Sequence, residues 1–332
     1  MTQETTTEGT ARETAGGAKP WHGVLVATAL PLRETRNGAD RNGADRNGAG
    51  AGAGGGLTVD FDAYAAHITW LAEHGCDGAT PNGSLGEYQT LTAEERARVV
   101  TTALAAAPPG FTVMPGVAAY GSDEARRWAE QAGEAGAPAV MLLPPNAYRA
   151  DRRAVVAHYR AVAEAGVPVV AYNNPIDTKV DLVPELLAEL FGEGLIVAVK
   201  EFSGDIRRYY RITELAPGLD ILAGTDDLAL EMAQAGSPGW ISGYPNALPR
   251  ACVTLWEAAS KGDLATALPL YRTLHPLLRW DSRTEFVQAI KLSMDIVGRY
   301  GGPSRPPRLP LTAEHEALVR SATERAVAEG LA

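Results

Sequence analysis

Short apolar runs alternate along this chain with longer stretches in which apolar residues recur at helical spacing. Continuous apolar runs of this length are typical of strands in a parallel sheet that is covered on both faces. The predicted strands lie at 24–29, 78–81, 113–117, 139–143, 167–172, 196–200, 221–224 and 239–242. The helices between them are predicted to begin near Asp60, Ala93, Asp123, Arg152, Val183, Asp205, Asp227 and Pro249. Thr92 and Glu95 have the spacing of a capping box, which strengthens the second helix.

Eight strand–helix pairs in succession predict an α/β fold of the (β/α)8 TIM barrel type. A doubly wound open sheet is the alternative, but no GxGxxG segment follows the first strand. Three further helical stretches at 263–278, 284–297 and 313–328 follow the eighth pair. We therefore predict a barrel over residues 21–260 and a C-terminal helical extension over residues 261–332.

One segment has low sequence complexity. Arg-Asn-Gly-Ala-Asp occurs at 36–40 and 41–45, recurs nearly unchanged at 46–50, and is followed by a Gly/Ala run to Gly56. Such a composition buries little apolar surface, so we predict a loop insertion over residues 36–56, with a functional lid as the alternative. Residues 1–20 lack the apolar core of a signal peptide and are predicted to be a disordered tail.

The composition excludes several classes of function. The net charge of −10, without a dense Lys/Arg run, argues against nucleic acid and against anionic membrane surfaces. No apolar run approaches the length of a membrane-spanning helix. The two cysteines, Cys76 and Cys252, form no CxxC motif, which favours a cytoplasmic protein, and the six histidines lack the spacing of metal ligands.

In a TIM barrel the reactive residues lie at the C-terminal ends of the strands. Lys200 closes the apolar run at 196–200. Apolar surroundings disfavour the ammonium form and lower the pKa of the amine, which makes it a candidate nucleophile for a carbonyl group. The alternative is a lysine that extends into solvent or pairs with the adjacent Glu201.

Two other segments lie at predicted strand ends. Tyr172 ends the run at 167–172 and presents a phenol that can relay protons, although a half-buried structural tyrosine is the alternative. Gly83, Ser84 and Leu85 lie between the second strand and its helix, where glycines allow backbone amides to face an anion. An ordinary Gly-rich turn is the alternative there.

Taken together, these segments resemble the dihydrodipicolinate synthase / N-acetylneuraminate lyase family from about Trp21 to the C-terminus, apart from the insertion. The GSLGE segment at 83–87 resembles the family's GTTGE or GSTGE, and YNNP at 172–175 resembles its YNxP. VKEFSGD at 199–205 resembles its (I/V)KExSGD. A weaker fourth match is GTDD at 224–227, with 239–242 and Asn246. The motifs follow the family's order, and Lys200 lies 28 residues after Tyr172.

The resemblance implies roles for these residues. Lys200 would form the Schiff base, and Tyr172 would relay protons. Gly83, Ser84 and Leu85 would bind the carboxylate of a 2-oxo acid, with Ser84 in the hydroxyl relay. Ile241 would face the substrate through its backbone, and Asp226 is a further candidate substrate-binding residue. The family also implies a homotetramer that needs no metal or organic cofactor.

Three departures from the family pattern concern recognition of the second substrate. Leu85 replaces a threonine that helps to hold the carboxylate in lysine-pathway synthases. Asp177 stands where those synthases carry an arginine for the incoming aldehyde, with Lys179 as a possible substitute. Asn146 falls at or near a tyrosine contributed across the dimer interface, and Tyr148 would supply that phenol only after a loop shift.

The sequence therefore predicts an aldolase or lyase that acts on pyruvate or another 2-oxo acid through an iminium at Lys200. Dehydratase or deaminase chemistry through the same iminium is an alternative, as is 4-hydroxy-tetrahydrodipicolinate synthase activity. A barrel that binds a small metabolite without catalysis is the alternative of a different class. Phosphate-binding barrel enzymes are disfavoured, because no pronounced Gly-rich turn follows strands seven and eight.

Overall fold

The computed structural model describes residues 19–34 and 56–332. Within these ranges, eight strands form one parallel sheet, and a short antiparallel pair lies beside it. Each of the eight predicted apolar runs overlaps one strand of the large sheet. In chain order the strands are β1 (Gly23–Ala27), β2 (Leu32–Glu34), β3 (Leu57–Val59), β4 (Gly78–Thr80), β5 (Thr112–Val113), β6 (Val140–Leu142), β7 (Val169–Asn173), β8 (Ala198–Glu201), β9 (Asp220–Ala223) and β10 (Gly239–Ser242).

The large sheet curls into a closed barrel. Its strand order is β5-β4-β1-β10-β9-β8-β7-β6, so the first strand of the chain pairs with the last. The seam between β5 and β6 is joined by backbone bonds from Val117 N to Met141 O (3.0 Å) and from Met141 N to Pro115 O (2.9 Å). The predicted (β/α)8 barrel is confirmed, and the open doubly wound sheet is excluded.

The predicted helices begin within two residues of the predicted positions, and the short helix over Pro175–Thr178 was not predicted. The Thr92–Glu95 capping box is present, with Glu95 N donating to Thr92 Oγ1 at 3.2 Å and Thr92 N donating to Glu95 Oε2 at 3.0 Å. No helix in the described ranges is long and apolar enough to cross a membrane. The helices are α1 (Phe61–Glu73), α2 (Ala93–Ala106), α3 (Ser122–Glu134), α4 (Arg152–Ala163), α5 (Pro175–Thr178), α6 (Pro184–Gly192), α7 (Arg207–Leu215), α8 (Ala229–Ala235), α9 (Pro249–Ser260), α10 (Leu264–Leu278), α11 (Phe286–Ile296) and α12 (Ala313–Ala328).

The C-terminal helical extension, α10 to α12, packs against the barrel and reaches the end at which the parallel strands terminate. Lys291 of α11 donates to Glu87 Oε1 at 2.7 Å, and Arg305 forms an ion pair with Glu95 at 2.5 Å. Both acidic partners lie between β4 and the first turn of α2. The extension is therefore tied to the loop that carries the predicted carboxylate-binding turn.

The antiparallel pair was not predicted from the sequence. Leu32 lies opposite Val59, and Glu34 lies opposite Leu57, so the two ends of the low-complexity segment are held side by side. Each strand has only three residues, which is too short for a periodic pattern to stand out. Apart from residues 19, 20 and 56, the predicted tail at 1–20 and the predicted insertion at 36–56 lie outside the described residues.

Candidate active site

Lys200 and Tyr172 meet in a cavity of about 350 Å³ at the carboxyl ends of the strands. Tyr172 on β7 and Lys200 on β8 are register partners in neighbouring parallel strands, so both side chains point into the barrel. Lys200 Nζ lies 4.4 Å from the centroid of the Tyr172 ring. Each residue is 5% exposed. The strand register thus brings an amine and a phenol together.

The surroundings of Lys200 favour its neutral form. Burial lowers the pKa of the amine, and the negative charges of Asp281 and Asp226 partly oppose this effect. Among the described residues, no hydrogen bond or ion pair engages Lys200 Nζ. The alternative of a lysine paired with Glu201 does not hold, because Glu201 accepts from Asn173 Nδ2 (3.0 Å) and Ser203 N (2.6 Å). Lys200 therefore presents a desolvated amine to the cavity.

The Tyr172 hydroxyl is held in a small polar network. Asn174 Nδ2 donates to this hydroxyl at 3.3 Å and to Asp177 Oδ2 at 2.9 Å. The ring of Phe202 packs edge-on against Tyr172, with 6.1 Å between the ring centroids. Burial is the largest influence on the Tyr172 phenol and raises its pKa. Tyr172 therefore remains a protonated donor at neutral pH and has an oxygen that accepts from Asn174.

The turn after β4 forms another part of the cavity wall. Gly83, Ser84 and Leu85 line it, and the backbone N–H groups of Ser84 and Leu85 have no acceptor among the described residues. The turn is held by Asn82 and Glu87, which adopt left-handed backbone conformations with φ of 56° and 51°. Unused amides on a constrained turn suit a carboxylate, while the side chain of Leu85 offers only apolar contact.

Asp226 and Ile241 lie behind the cavity wall. Asp226 is fully buried and accepts from Trp240 Nε1 (3.1 Å) and from the backbone N–H groups of Gly243 and Tyr244 (both 3.2 Å). Burial is the main cause that raises the pKa of Asp226, to about 7. Ile241 is also fully buried in β10 and is not among the residues that line the cavity. Asp226 thus acts on Lys200 through its charge.

The remaining predicted positions separate into two groups. Asn146 and Asp177 line the cavity, and Asn146 Nδ2 donates to the hydroxyl of Tyr88 at 3.4 Å. Tyr148 is 60% exposed and does not line the cavity. Lys179 does not line it either, because its ammonium group donates to the carbonyl of Ile176. Neither expected substitute, Tyr148 for the phenol or Lys179 for the arginine, reaches the cavity in this structure.

Sequence reasoning missed the part of the site that comes from the C-terminal extension. The segment between α10 and α11 contributes Asp281, Ser282, Arg283 and Thr284 to the cavity, and Arg308 follows α11. Tyr88 was also missed and is 8% exposed. The sequence does show a dense polar stretch at 281–284 between two apolar helices. Such a stretch alone does not indicate that it lies against the mouth of the barrel.

A glycine lets Asp281 approach the cavity. A methyl group at Gly243 would lie 2.8 Å from Asp281 Oδ1 and 2.7 Å from Ile290 Cδ1. Burial raises the pKa of Asp281 well above its ordinary value, and the charge of Lys200 opposes that rise. The site therefore couples one amine to two carboxyl groups, Asp226 and Asp281, in a region with little solvent.

The described residues contain no group of three or more His, Cys, Asp or Glu side chains that could hold a metal ion. The side chains of the cavity offer general acid–base, nucleophilic and anion-binding groups. The expectation that the protein needs no metal or organic cofactor stays a prediction.

Comparison with known proteins places the chain in one family. The model of the Dihydrodipicolinate synthetase family matches residues 55–326. A 4-hydroxy-tetrahydrodipicolinate synthase from Methanospirillum hungatei is 34% identical over 254 residues, which cover 76% of this chain and 87% of the relative. The enzyme of that name from Anaeromyxobacter dehalogenans is 34% identical over 274 residues, covering 80% and 92%.

Solved structures give the same result. The crystal structure of dihydrodipicolinate synthase from Aquifex aeolicus superposes with a TM-score of 0.81 at 26% identity, covering 94% of this chain and 99% of that one. The dihydrodipicolinate synthase from Agrobacterium tumefaciens gives a TM-score of 0.79 at 27% identity, covering 92% and 98%.

Proposed function

The chain belongs to the dihydrodipicolinate synthetase family and is a lyase, and from this premise we propose that Lys200 forms a Schiff base with pyruvate or another 2-oxo acid. The observation that carries the proposal is the buried Lys200 amine, unpaired among the described residues and 4.4 Å from the Tyr172 ring. An amine with a lowered pKa is the nucleophile that condensation with a ketone requires.

The first half of the reaction follows from the cavity. The carboxylate of the 2-oxo acid binds the free amides of Ser84 and Leu85, which places its ketone beside Lys200. The amine attacks the carbonyl carbon, and the carbonyl oxygen receives a proton, giving a carbinolamine. Loss of that oxygen as water leaves the iminium. Tyr172 donates each proton to this oxygen through the hydroxyl that Asn174 positions. It recovers a proton from the attacking nitrogen after the first transfer and from the carbon next to the iminium after the second.

The second half uses the iminium as an electron sink. Loss of a proton from the carbon next to the iminium gives an enamine, and this carbon then forms a C–C bond to an acceptor. In the reverse direction, cleavage of such a C–C bond produces the same enamine. The same iminium also serves dehydration or deamination of a 2-oxo or sugar acid. Both alternatives remain open, because they share Lys200 and Tyr172.

The relatives named 4-hydroxy-tetrahydrodipicolinate synthase favour that activity as a second candidate. Three positions weigh against it. Leu85 lacks a hydroxyl, Asp177 has the opposite charge to the arginine of those synthases, and Asn146 carries no phenol. Loss of a charged hydrogen bond costs about 1.5–3 kcal/mol. Recognition of the second substrate should therefore differ from that of the lysine-pathway enzymes.

The test is borohydride trapping with pyruvate, followed by mass spectrometry of the modified peptide. We expect a reduced adduct on Lys200, with no adduct in Lys200→Ala and an unchanged yield in Lys261→Ala, whose lysine is exposed. If pyruvate gives no adduct, a panel of longer 2-oxo acids follows. A folded protein that leaves Lys200 unmodified throughout would reject the lyase mechanism in favour of a metabolite-binding barrel.

We further propose a homotetramer in the cytoplasm. The tetramer rests on the family resemblance, and sedimentation equilibrium measures it directly. The two cysteines, Cys76 and Cys252, are both free and buried, which suits a reducing compartment. A monomeric or dimeric mass at micromolar concentration would reject the tetramer.

A further inference from the structure

We propose that Arg308, together with Arg283 on the wall of the same cavity, binds a second carboxylate at the far end of the molecule that is attached to Lys200. The inference rests on the proposed function, since it concerns the same cavity. It assigns the substrate class: a 2-oxo acid, as substrate or product, that carries a carboxylate remote from the reacting ketone.

Arg308 is built into the cavity wall. It lies in the segment between α11 and α12 and lines the same cavity as Lys200. Its Nη1 donates to the carbonyl of Thr284 at 3.2 Å, and its guanidinium carbon lies 5.1 Å from the centroid of the Phe286 ring. These two contacts hold the plane of the guanidinium group. The bond from Arg308 N to Arg305 O (3.2 Å) ties its backbone to an anchored residue.

That anchor is firm. Arg305 makes an ion pair with Glu95 at 2.5 Å, and its backbone N–H donates to Glu87 Oε2 at 2.8 Å. Arg308 is therefore not a loose surface side chain, because the loop that carries it is fastened to the barrel three residues earlier. A positioned guanidinium loses little conformational entropy when it binds an anion.

The guanidinium of Arg308 has no anionic partner among the described residues. Its Nε and Nη2 engage no acceptor there, whereas Arg208 and Arg160 each form two bonds to a carboxylate, Asp181 and Glu193 respectively. The Arg308 side chain is half-buried, and this burial lowers the pKa of its guanidinium group, while the charges of Glu87 and Asp177 act in the opposite direction. A partly desolvated guanidinium with free parallel donors is suited to a bidentate carboxylate.

Two other charged residues near this end of the cavity cannot bind the second carboxylate, whereas Arg283 can assist Arg308. Asp177 is negative, and the ammonium of Lys179 is turned to the Ile176 carbonyl. Arg283 adjoins Thr284, lines the rim and stacks on Trp280, with its guanidinium carbon 4.5 Å from the ring centroid. The two arginines thus form the positive end of the cavity.

Two anion sites then lie in one cavity with the reactive amine. The free amides of Ser84 and Leu85 suit the carboxylate next to the ketone, and Arg308 with Arg283 suits a second one. A substrate with a neutral far end would leave the Arg308 cation partly desolvated and unpaired. The geometry therefore selects a dicarboxylate over a monocarboxylate of equal length.

The experiment compares 2-oxo dicarboxylates of five, six and seven carbons with neutral-ended 2-oxo acids of the same carbon count. The half-saturating concentration for borohydride-trapped adduct on Lys200 is measured for each. In the unaltered protein we expect at least one dicarboxylate to have a half-saturating concentration about tenfold below that of its neutral partner. This ratio corresponds to about 1.4 kcal/mol.

In the double variant Arg283→Gln/Arg308→Gln this preference should disappear, while the neutral acids and pyruvate keep their values. The matched control Arg272→Gln/Arg279→Gln removes the same charge from exposed positions of the extension and should keep the preference. A dicarboxylate preference that survives the double variant, or is absent from the unaltered protein, overturns the inference. An equal loss for all acids does the same, since it indicates structural damage. Failure of every acid, pyruvate included, would reject the proposed function itself.

Discussion

Lys291 and Glu87 form an ion pair buried on both sides, with 2.7 Å between Nζ and Oε1 and side-chain exposures of 2% and 0%. Lys291 also donates to the carbonyl of Pro303 at 2.8 Å, and the second oxygen of Glu87 accepts from Arg305 N at 2.8 Å. Glu87 ends the GSLGE segment in a left-handed conformation. One pair thus joins the C-terminal extension to the turn of the candidate site.

Replacement of one member of this pair should be strongly destabilising. In Lys291→Met the carboxylate of Glu87 stays buried without its cation, which costs about 3–5 kcal/mol. Denaturant unfolding measures this loss. Lys261→Met is the control, because the Lys261–Glu257 pair lies at the surface with 3.5 Å between its atoms, and exposed pairs contribute about 0–1 kcal/mol. Similar losses in the two variants would show that burial of the Glu87 pair has no special role.

The pH dependence of adduct formation should report the charge of Asp281. Condensation needs the neutral amine, so the rate should rise with pH through a pKa below the ordinary 10.5 of lysine. Asp281 holds this pKa up, and Asp281→Asn should therefore move the rising limb to lower pH. Borohydride trapping across a pH series measures the shift. An unchanged limb would mean that Asp281 carries no charge in the free enzyme.

Tyr88 should supply the cavity with a second phenol for proton transfer, and this phenol comes from the same chain as Lys200. Its hydroxyl accepts from Asn146, which falls at or near the family's cross-interface tyrosine, and Tyr88 lines the cavity. We expect Tyr88→Phe to slow exchange of the pyruvate methyl protons into heavy water by about 10²-fold, the lower end for general acid–base groups. The Lys200 adduct should still form.

The exposed Tyr148 is the control for this prediction, and Tyr148→Phe should leave proton exchange unchanged. The reverse result, with loss of exchange only in Tyr148→Phe, would indicate that the loop carrying Tyr148 moves into the cavity when substrate binds.

Gly224 keeps space for the stem of Lys200. A methyl group there would lie 2.4 Å from Glu201 O and 3.0 Å from Lys200 Cγ. Since the backbone of β8 is held on both sides, Gly224→Ala should displace the lysine, slow adduct formation and cost about 1–3 kcal/mol of unfolding free energy. Gly192→Ala is the control, because beyond the neighbouring backbone of its own helix no atom lies within 4 Å of the added carbon. Equal rates of adduct formation in both variants would contradict the expected clash between a methyl group at position 224 and the residues Glu201 and Lys200.

The sequence by itself determined the barrel and predicted Lys200 and Tyr172 as its reactive residues. Runs such as 196–200 are local signals, because a buried parallel strand needs consecutive apolar residues whatever surrounds it. The residue that ends such a run lies at the barrel mouth, which made Lys200 and Tyr172 candidates without coordinates. The resemblance of the surrounding motifs to the family then favoured them over structural roles. The sequence also indicated that recognition of the second substrate departs from the family pattern, through Leu85, Asn146 and Asp177.

Only the tertiary structure decided which other groups surround the amine. Asp281, Arg283 and Arg308 come from an extension whose docking depends on long-range contacts such as Lys291–Glu87, and no local periodicity encodes that docking. Local sequence also could not reveal the orientation of Asp226. This residue lies at a strand end, but its carboxylate accepts from the backbone amides of Gly243 and Tyr244 behind the cavity wall. Strand ends are specified by neighbouring residues along the chain, whereas the surroundings of a side chain are specified by residues far from it in sequence.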